Sequence, residues 1–382
     1  MCQHIFIDII GQNEKAVLNP TGAWQTMCHS VLPEVVVPRL FTICLLILAM
    51  IPAVARAANE NPTQIRGFSI QLTDPNSKDA YIKAIDELAD MGCTWLNFAV
   101  AARQENVKSE AISIAWQNIP SQKDIEQILR HARARGMHTM LMPMVLLNKA
   151  EKKEWRGVIA PNNWDNWFAS YTAYITFMAK IAQKCDVTLF CVGSELLSTE
   201  PFRDRWADTI AEIKKHYKGK LTYSANWDHY HYDEIKKRGG PAFWDLLDYI
   251  GLNNYHELAD KPGATVQQLN KAWEPIKKDI LNFVQKQKKP FLFTEVGWHN
   301  LDCTINQPWN YVAEGTINLN EQLRAYESFV ATWSTVPASQ CMGAFVWEWR
   351  PGSKPDDHGT YSLQGTPALE VVKKWMQEKQ KQ

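Results

Sequence analysis

From residue 66 onward the sequence alternates eight short apolar runs with longer amphipathic stretches, and this alternation constrains the fold more than any other feature. The runs are rich in β-forming residues and nearly continuously apolar, as expected for strands buried on both faces. Strands that alternate with helices predict a parallel sheet, and eight repeats favour its closure into a barrel. We therefore predict an α/β fold, a single (β/α)8 TIM barrel over residues 66–376. The runs begin near Gly67, Thr94, His138, Val187, Lys220, Asp248, Pro290 and Met342.

Five of the intervening stretches show the apolar period of a helix. In the stretch with the clearest helical pattern, Ser121 and Asp124 predict a capping box at the start of the helix, and Gly136 predicts its end. The first run together with the loop that follows it, GFSIQLTDPN, lacks the GxGxxG loop of a dinucleotide fold. The other four helical stretches contain Tyr81, Trp167, Trp206 and Leu323.

The N-terminal residues read as an export signal rather than as part of the barrel. Arg39 precedes a short apolar run over 40–50, and Ala55-Arg56-Ala57 offers a small-x-small cleavage site. We predict an unstructured upstream extension over 1–33 (with Met27 as an alternative start), a signal peptide over 34–57, a linker over 58–65 and a frayed tail over 377–382. A buried helix or an uncleaved anchor is the alternative for the apolar run. The expected location is secreted or periplasmic.

Composition excludes some classes of partner. Lys+Arg and Asp+Glu both number 41, so no basic excess indicates nucleic acid. Sixteen tryptophans suit sugar stacking as well as core packing. The five cysteines after the leader lack CxxC spacing, which argues against a zinc site or a dense disulfide framework. We expect buried thiols, no membrane contact after cleavage, and a monomer.

Two glutamates stand where a barrel of this kind places its active site, at the carboxyl ends of strands. Glu195 follows the fourth apolar run, and Glu295 lies at the end of the seventh. A carboxylate directly beyond several buried residues is hard to explain as a solvated charge. The alternative is a structural ion pair at the rim with Arg66, Arg103 or Arg350.

A pair of carboxylates facing one cleft is the arrangement that glycosidic cleavage requires. One carboxyl must carry a raised pKa to protonate the leaving oxygen, and the other must stay ionised. Tyr255, after the sixth run, is placed to hydrogen-bond the ionised partner and lower its pKa. Trp347 is expected to form the floor of the central sugar site, with packing in the barrel core as the alternative. Glu348 points to the opposite face of the strand and is interpreted as structural.

The ordered set of strand ends resembles the clan A glycoside hydrolases, and family 113, the endo-β-mannanase-like group, in particular. This resemblance implies a retaining mechanism with Glu195 as acid/base, Glu295 as nucleophile and no cofactor. It also implies substrate contacts at Asn97, Asn226, Trp227 and Trp298. The stretches that carry it are PSQKDIEQILRHARARGMHTMLMP (120–143), FCVGSELLS (190–198), GKLTYSANWD (219–228), FWDLLDYIGLNNY (243–255), KPFLFTEVGW (289–298) and GAFVWEW (343–349).

Departures from the pattern fall around the expected sugar sites. Ser194 stands where many clan A enzymes have asparagine, and Asn254, His256 and His299 also differ from expectation. We expect these four residues to select the sugar, with β-1,4-mannan first and a related β-glucan second. A noncatalytic carbohydrate-binding barrel and a metal-dependent hydrolase are the competing hypotheses.

Overall fold

The computed structural model describes residues 64–151, 153–230 and 240–378. The eight apolar runs form eight parallel strands, each of which begins within two residues of its predicted start. The strands are β1 (Ile65–Gln71), β2 (Trp95–Gln104), β3 (His138–Leu147), β4 (Leu189–Ser194), β5 (Lys220–Ala225), β6 (Ile250–Asn254), β7 (Phe291–Val296) and β8 (Cys341–Val346).

The sheet closes on itself. Strand β1 pairs in parallel with β2 on one side and with β8 on the other, and the remaining neighbours follow chain order around the ring. A two-residue strand, Ile112–Ser113, pairs antiparallel with the end of β2 outside the barrel. The predicted eight-stranded parallel barrel is therefore confirmed.

Helices occupy most of the connections between strands. The five helical periods predicted from the sequence are confirmed, whereas α5 and α7 were not predicted individually. Within its described residues, the β5–β6 connection contains only short 3-10 helices, Trp227–Tyr230 and Trp244–Leu246. The α-helices of the described chain are α1 (Lys78–Asp90), α2 (Gln122–Ala134), α3 (Trp164–Lys184), α4 (Arg203–His216), α5 (Val266–Gln287), α6 (Leu319–Trp333) and α7 (Pro367–Gln377).

Local sequence signals set the ends of α2. Ser121 Oγ accepts a hydrogen bond of 3.2 Å from the backbone N–H of Asp124, which satisfies one free donor of the first turn. Gly136 follows the helix with φ of +77°, a conformation in which a side chain would be strained. The cap and the glycine together fix where the chain leaves α2 for β3.

The apolar core has two layers, divided by the barrel wall. The inner layer fills the barrel with side chains that include Met140, Met142 and Phe345. The outer layer lies between the outward faces of the strands and the apolar sides of the helices. Burial on both faces explains why the strand sequences are apolar nearly throughout.

The predicted leader, extension and linker fall almost entirely before residue 64, outside the described residues, so they stay predictions. The tail past residue 378 also lies outside them. In the described part of the chain, no helix combines the length and apolarity needed to cross a membrane. The five cysteines of this part are unpaired, and four of them are buried: Cys93, Cys185, Cys191 and Cys341, with Cys303 partly exposed.

Candidate active site

Irregular pairing at the end of β7 turns Glu295 toward the barrel interior. Leu292 belongs to the inner core, and Thr294 Oγ1 lies 2.7 Å from Ser224 Oγ of β5, so strict alternation would send Glu295 outward. The register between β6 and β7 shifts just before Asn253, which pairs with Glu295. A bulge of this kind re-aims a side chain and places two successive residues on one side.

The turn after β4 holds Glu195 in an unusual backbone conformation. Its φ of 53° lies in the left-handed region, which costs a non-glycine residue roughly 1–2 kcal/mol. Its backbone N–H donates to the Ser224 oxygen at 2.8 Å, and the N–H of Leu196 donates to the Tyr223 hydroxyl at 2.8 Å. These bonds fix the turn, and such strained residues cluster at functional sites.

Both carboxylate oxygens of Glu195 are occupied. Oε2 lies 2.5 Å from Nη2 of Arg156, and Oε1 accepts a hydrogen bond from the Asn253 amide. Arg156 lies in a short 3-10 helix, Arg156–Val158, in the connection between β3 and α3. Of the arginines considered from the sequence, Arg66 instead donates to the backbone of Trp375. The sequence offered Arg66, Arg103 or Arg350 as the ion-pair partner of the glutamates, but the arginine that pairs with Glu195 is Arg156.

The carboxylate of Glu295 has fewer polar contacts than that of Glu195. Its Oε2 accepts a hydrogen bond of 2.9 Å from the Tyr255 hydroxyl, the contact that the sequence predicted. Its Oε1 is buried and has no hydrogen-bond partner among the described residues. Burial and then the charge of Glu195 raise the pKa of Glu295 to about 8, while Arg156 and the Tyr255 hydrogen bond oppose that rise.

Arg156 acts electrostatically on both glutamates. Burial lowers its pKa, but the charges of Glu195 and Glu295 outweigh that effect and raise it. One cation therefore offsets part of the repulsion between two buried carboxylates. The site holds a proton on the pair at a pH where an ordinary glutamate would be ionised.

An aromatic wall stands beside the glutamates. Trp227, Tyr255 and Tyr361 form a cluster against which the partly exposed Trp347 packs. Gly297 allows this approach, because a Cβ there would lie 2.4 Å from the Trp347 backbone oxygen. The predicted Trp227, Tyr255 and Trp347 are thus brought together at the mouth of the barrel beside Glu295.

The site has the elements of a glycoside hydrolase: two buried glutamates at strand ends and an aromatic wall. The model of Glycoside Hydrolase Family 113 matches residues 72–363. The chain belongs to glycoside hydrolase family 113. It is therefore an enzyme that acts on O-glycosyl bonds, and its substrate is a carbohydrate.

Solved structures of other family 113 enzymes share the fold. The GH113 β-mannanase of Alicyclobacillus acidocaldarius, solved in complex with ManMIm, is 26% identical with a TM-score of 0.70, over 82% of this chain and 97% of that one. A GH113 β-1,4-mannanase is 25% identical with a TM-score of 0.71, over 83% of this chain and 100% of that one. At 10% identity and a TM-score of 0.55, the endo-β-1,4-mannanase of Thermotoga petrophila shares the fold alone, over 83% of this chain and 77% of that one. Among curated proteins no match was found.

Two predicted substrate contacts of this family 113 enzyme lie away from the glutamates. Asn97 is fully buried inside the barrel, where its amide donates to Ser69 Oγ at 3.0 Å. Trp298 is also fully buried, and its ring packs edge-on against Tyr326 of α6, on the outer side of the barrel wall. Neither position gives support to the predicted sugar contact, because both side chains are enclosed by protein. A third predicted contact, Asn226, lies at the end of β5 and donates to Asp228.

The four residues expected to select the sugar are all buried. Ser194 Oγ has no partner among the described residues, and Asn254 Oδ1 lies 2.6 Å from Nδ1 of His256. His299 Nε2 lies 3.1 Å from a backbone oxygen of the β7–α6 connection, and burial lowers the pKa of this histidine. Ser194, Asn254 and His299 are each at most 1% exposed, whereas the equally buried His256 lines a cavity, so the expected role of the four stays a prediction.

Two further buried carboxylates flank the pair. Glu348, which a cis peptide joins to Trp347, accepts hydrogen bonds from Gln71 at 2.6 Å and Arg350 at 2.7 Å, and its charge contributes to the raised pKa of Glu295, so its structural interpretation stays a prediction. Glu200 accepts a hydrogen bond of 2.9 Å from Tyr223, and burial raises its pKa to about 8. Sequence reasoning missed Glu200 because no strand end marks it.

Metal binding was the third hypothesis for the barrel. The described residues contain no group of three or more His, Cys, Asp or Glu side chains arranged to hold a metal ion. The described part of the enzyme therefore offers no observation that favours a metal-dependent hydrolase over the glutamate pair.

Proposed function

We propose that this family 113 enzyme is a secreted, retaining β-glycosidase that cleaves β-1,4-mannan by double displacement. The observation that carries the proposal is the buried pair of Glu195 and Glu295 in one site, where the charge of Glu195 contributes to the raised pKa of Glu295. The related structures of known activity are described as β-mannanases, which supports mannan as the substrate. Secretion rests on the predicted signal peptide over 34–57.

Glu295 is proposed as the nucleophile. Its Oε2 is held by Tyr255, while Oε1 has no partner among the described residues and is available to attack the anomeric carbon. Attack forms a bond from Oε1 to that carbon as the glycosidic C–O bond breaks. Glu195 donates its proton to the leaving oxygen in the same step, and then accepts a proton from the water that releases the sugar.

Substrate binding must change the environment of Glu195. Both of its oxygens are engaged, by Arg156 and Asn253. A leaving oxygen can reach the Glu195 proton only after it replaces one of these partners. The raised pKa of Glu295 shows that the pair retains a proton near neutral pH. In the proposed cycle that proton lies on Glu195 once the sugar is bound.

The direct test combines a substrate screen with product stereochemistry. We expect the enzyme to cleave mannan or glucomannan faster than xylan or mixed-linkage β-glucan, and to release first the β-anomer, as followed by proton NMR. A preference for β-glucan would replace mannan as the substrate. Release of the α-anomer would show inversion and refute the nucleophile role of Glu295. Binding of oligosaccharide in calorimetry without turnover would indicate a noncatalytic protein.

A further inference from the structure

The connection between β7 and α6 carries an exposed apolar tip. Trp309, Tyr311 and Val312 are 47%, 80% and 74% exposed. Isolated exposed apolar residues are ordinary, but three within four positions form a patch of the kind that marks interaction sites.

Hydrogen bonds hold the base of this tip. Leu301 and Ile317 form an antiparallel bridge, and Asp302 N–H donates to the Thr316 oxygen at 2.8 Å. These contacts join the two ends of the connection, so the tip is presented on a fixed base. A binding surface benefits from such an arrangement, because less conformational freedom is lost when a ligand binds.

The tip is continuous with the aromatic wall of the active site. The Tyr361 hydroxyl donates to the backbone oxygen of Pro308 at 2.6 Å, and the ring of Tyr361 contacts that of Tyr255. Tyr255 in turn donates to Glu295. The residue that begins the tip is therefore connected through two side chains to a catalytic glutamate.

A cavity of about 310 Å³ adjoins the tip on the β6 side. Its lining includes Trp227, His256, Glu257 and Asp260. Trp227 also belongs to the aromatic wall, and Glu257 Oε1 accepts a hydrogen bond of 3.3 Å from the Trp309 indole. The cavity therefore shares Trp227 with the active-site wall and is joined to the exposed tip through the hydrogen bond between Glu257 and Trp309.

The chemistry of this surface suits a sugar ring. A flat indole can cover the apolar face of a hexose, and carboxylates accept hydrogen bonds from its hydroxyl groups. We propose that Trp309, Glu257 and the adjoining cavity form an accessory subsite, which binds one hexose unit of the glycan beyond those next to the cleaved bond. This inference rests on the proposed function in that it takes a β-linked glycan as substrate.

The test compares substrates that can and cannot reach the subsite. Wild type, Trp309→Ala, Trp309→Phe and Trp116→Ala are assayed as full chains on mannohexaose and on 4-nitrophenyl β-mannobioside. Trp116 is a matched control, since it is 38% exposed and packs instead against Phe177 of α3. We expect Trp309→Ala to lose about tenfold in kcat/KM on mannohexaose and less than twofold on the short substrate. Trp309→Phe should keep most activity, and Trp116→Ala should match wild type.

Equal losses on both substrates would overturn the subsite, because Trp309 would then act through the fold or the catalytic centre. No loss on either substrate would overturn it as well. Failure of wild type on both mannosides would refute the mannan proposal instead. The same ratio is then measured on a long and a short form of whichever β-glycan wild type cleaves, so the subsite is still tested.

Discussion

The ends of β4 and β7 present the same residue type in contrasting surroundings. At β4, Glu195 meets a cation and an amide and has both oxygens engaged. At β7, Glu295 meets one hydroxyl group and keeps one oxygen without a partner among the described residues. Burial raises the pKa of Glu295 to about 8, with help from the charge of Glu195. Glu295 therefore holds its proton more tightly than an ordinary glutamate does.

Double displacement requires a defined proton distribution at the moment of bond cleavage. The nucleophile must be ionised and the acid must carry the proton. If Glu295 is the nucleophile, its raised pKa must fall when the sugar binds, so that it is ionised for attack. If the roles are exchanged, the raised pKa already suits the acid. The contrast between the two strand ends thus becomes a testable question.

The largest expected effect comes from removing either carboxylate. Glu295→Gln and Glu195→Gln should each lower kcat by about 10⁴-fold or more, because the two groups act as a unit. Glu274→Gln, an exposed change on α5, serves as the control for substitution itself and should retain activity. Near-wild-type turnover by Glu295→Gln would refute the assignment.

Azide separates the roles of the two groups. With an activated aryl mannoside, Glu195→Ala should be partly rescued by azide and yield a β-mannosyl azide, because the covalent intermediate at Glu295 still forms. Glu295→Ala should yield an α-mannosyl azide by direct displacement. The reverse pattern of products, assigned by NMR, would exchange the roles of β4 and β7.

Loss of the Tyr255 hydroxyl group, which follows β6 and contacts Glu295, should give the next largest effect. Tyr255→Phe removes this hydrogen bond to the Glu295 carboxylate and should lower kcat by about 100-fold. The pKa of Glu295 should rise further, since that bond lowers it. For a nucleophile, which must be ionised, the acid limb of the kcat/KM profile moves to higher pH. For an acid, which must be protonated, the basic limb would move to higher pH instead.

Loss of the positive charge of Arg156, which pairs with Glu195 after β4, should have a smaller effect that also changes the pKa of Glu295 on β7. Arg156 lowers the pKa of Glu295, so Arg156→Met should raise it and move the acid limb of kcat/KM upward. A shift of about one pH unit corresponds to roughly tenfold lower kcat/KM on the acid side. Arg156→Lys keeps the charge and should leave the limb in place. A limb unmoved in Arg156→Met would mean that Arg156 serves Glu195 alone.

The barrel and the identity of its two carboxylates were predictable from sequence because both depend on local pattern. Strands buried on both faces leave continuous apolar runs, and parallel closure brings their carboxyl ends to one rim. The helix α5 escaped prediction, although Leu269, Trp273 and Ile276 have helical spacing and are buried. Pro275 lies within it, and proline normally argues against a helix interior.

The surroundings of the pair were not predictable, because they depend on irregular structure. Arg156 lies in the irregular connection between β3 and α3, where no periodic pattern predicts the direction of its side chain. The family resemblance implied a sugar contact at Trp298, whereas its ring packs against Tyr326 beyond the irregular end of β7. The one partner that was anticipated, Tyr255, directly follows a strand, where the barrel itself fixes its position.

The smallest expected effect concerns a second buried carboxylate on the β4 side. Glu200 has a pKa raised to about 8 by burial, whereas an unfolded glutamate titrates near 4.3. The folded state thus binds the proton more tightly, so its stabilising effect is complete below about pH 4 and is lost as pH rises through about 8. Glu200→Gln, which stays neutral, should raise Tm relative to wild type by several degrees at pH 8.5 and little at pH 5, measured by calorimetry. Glu274→Gln should change Tm equally at both values. If Glu200→Gln changes Tm equally at both pH values, Glu200 is charged at both. Glu195 would then lie near a second charged carboxylate.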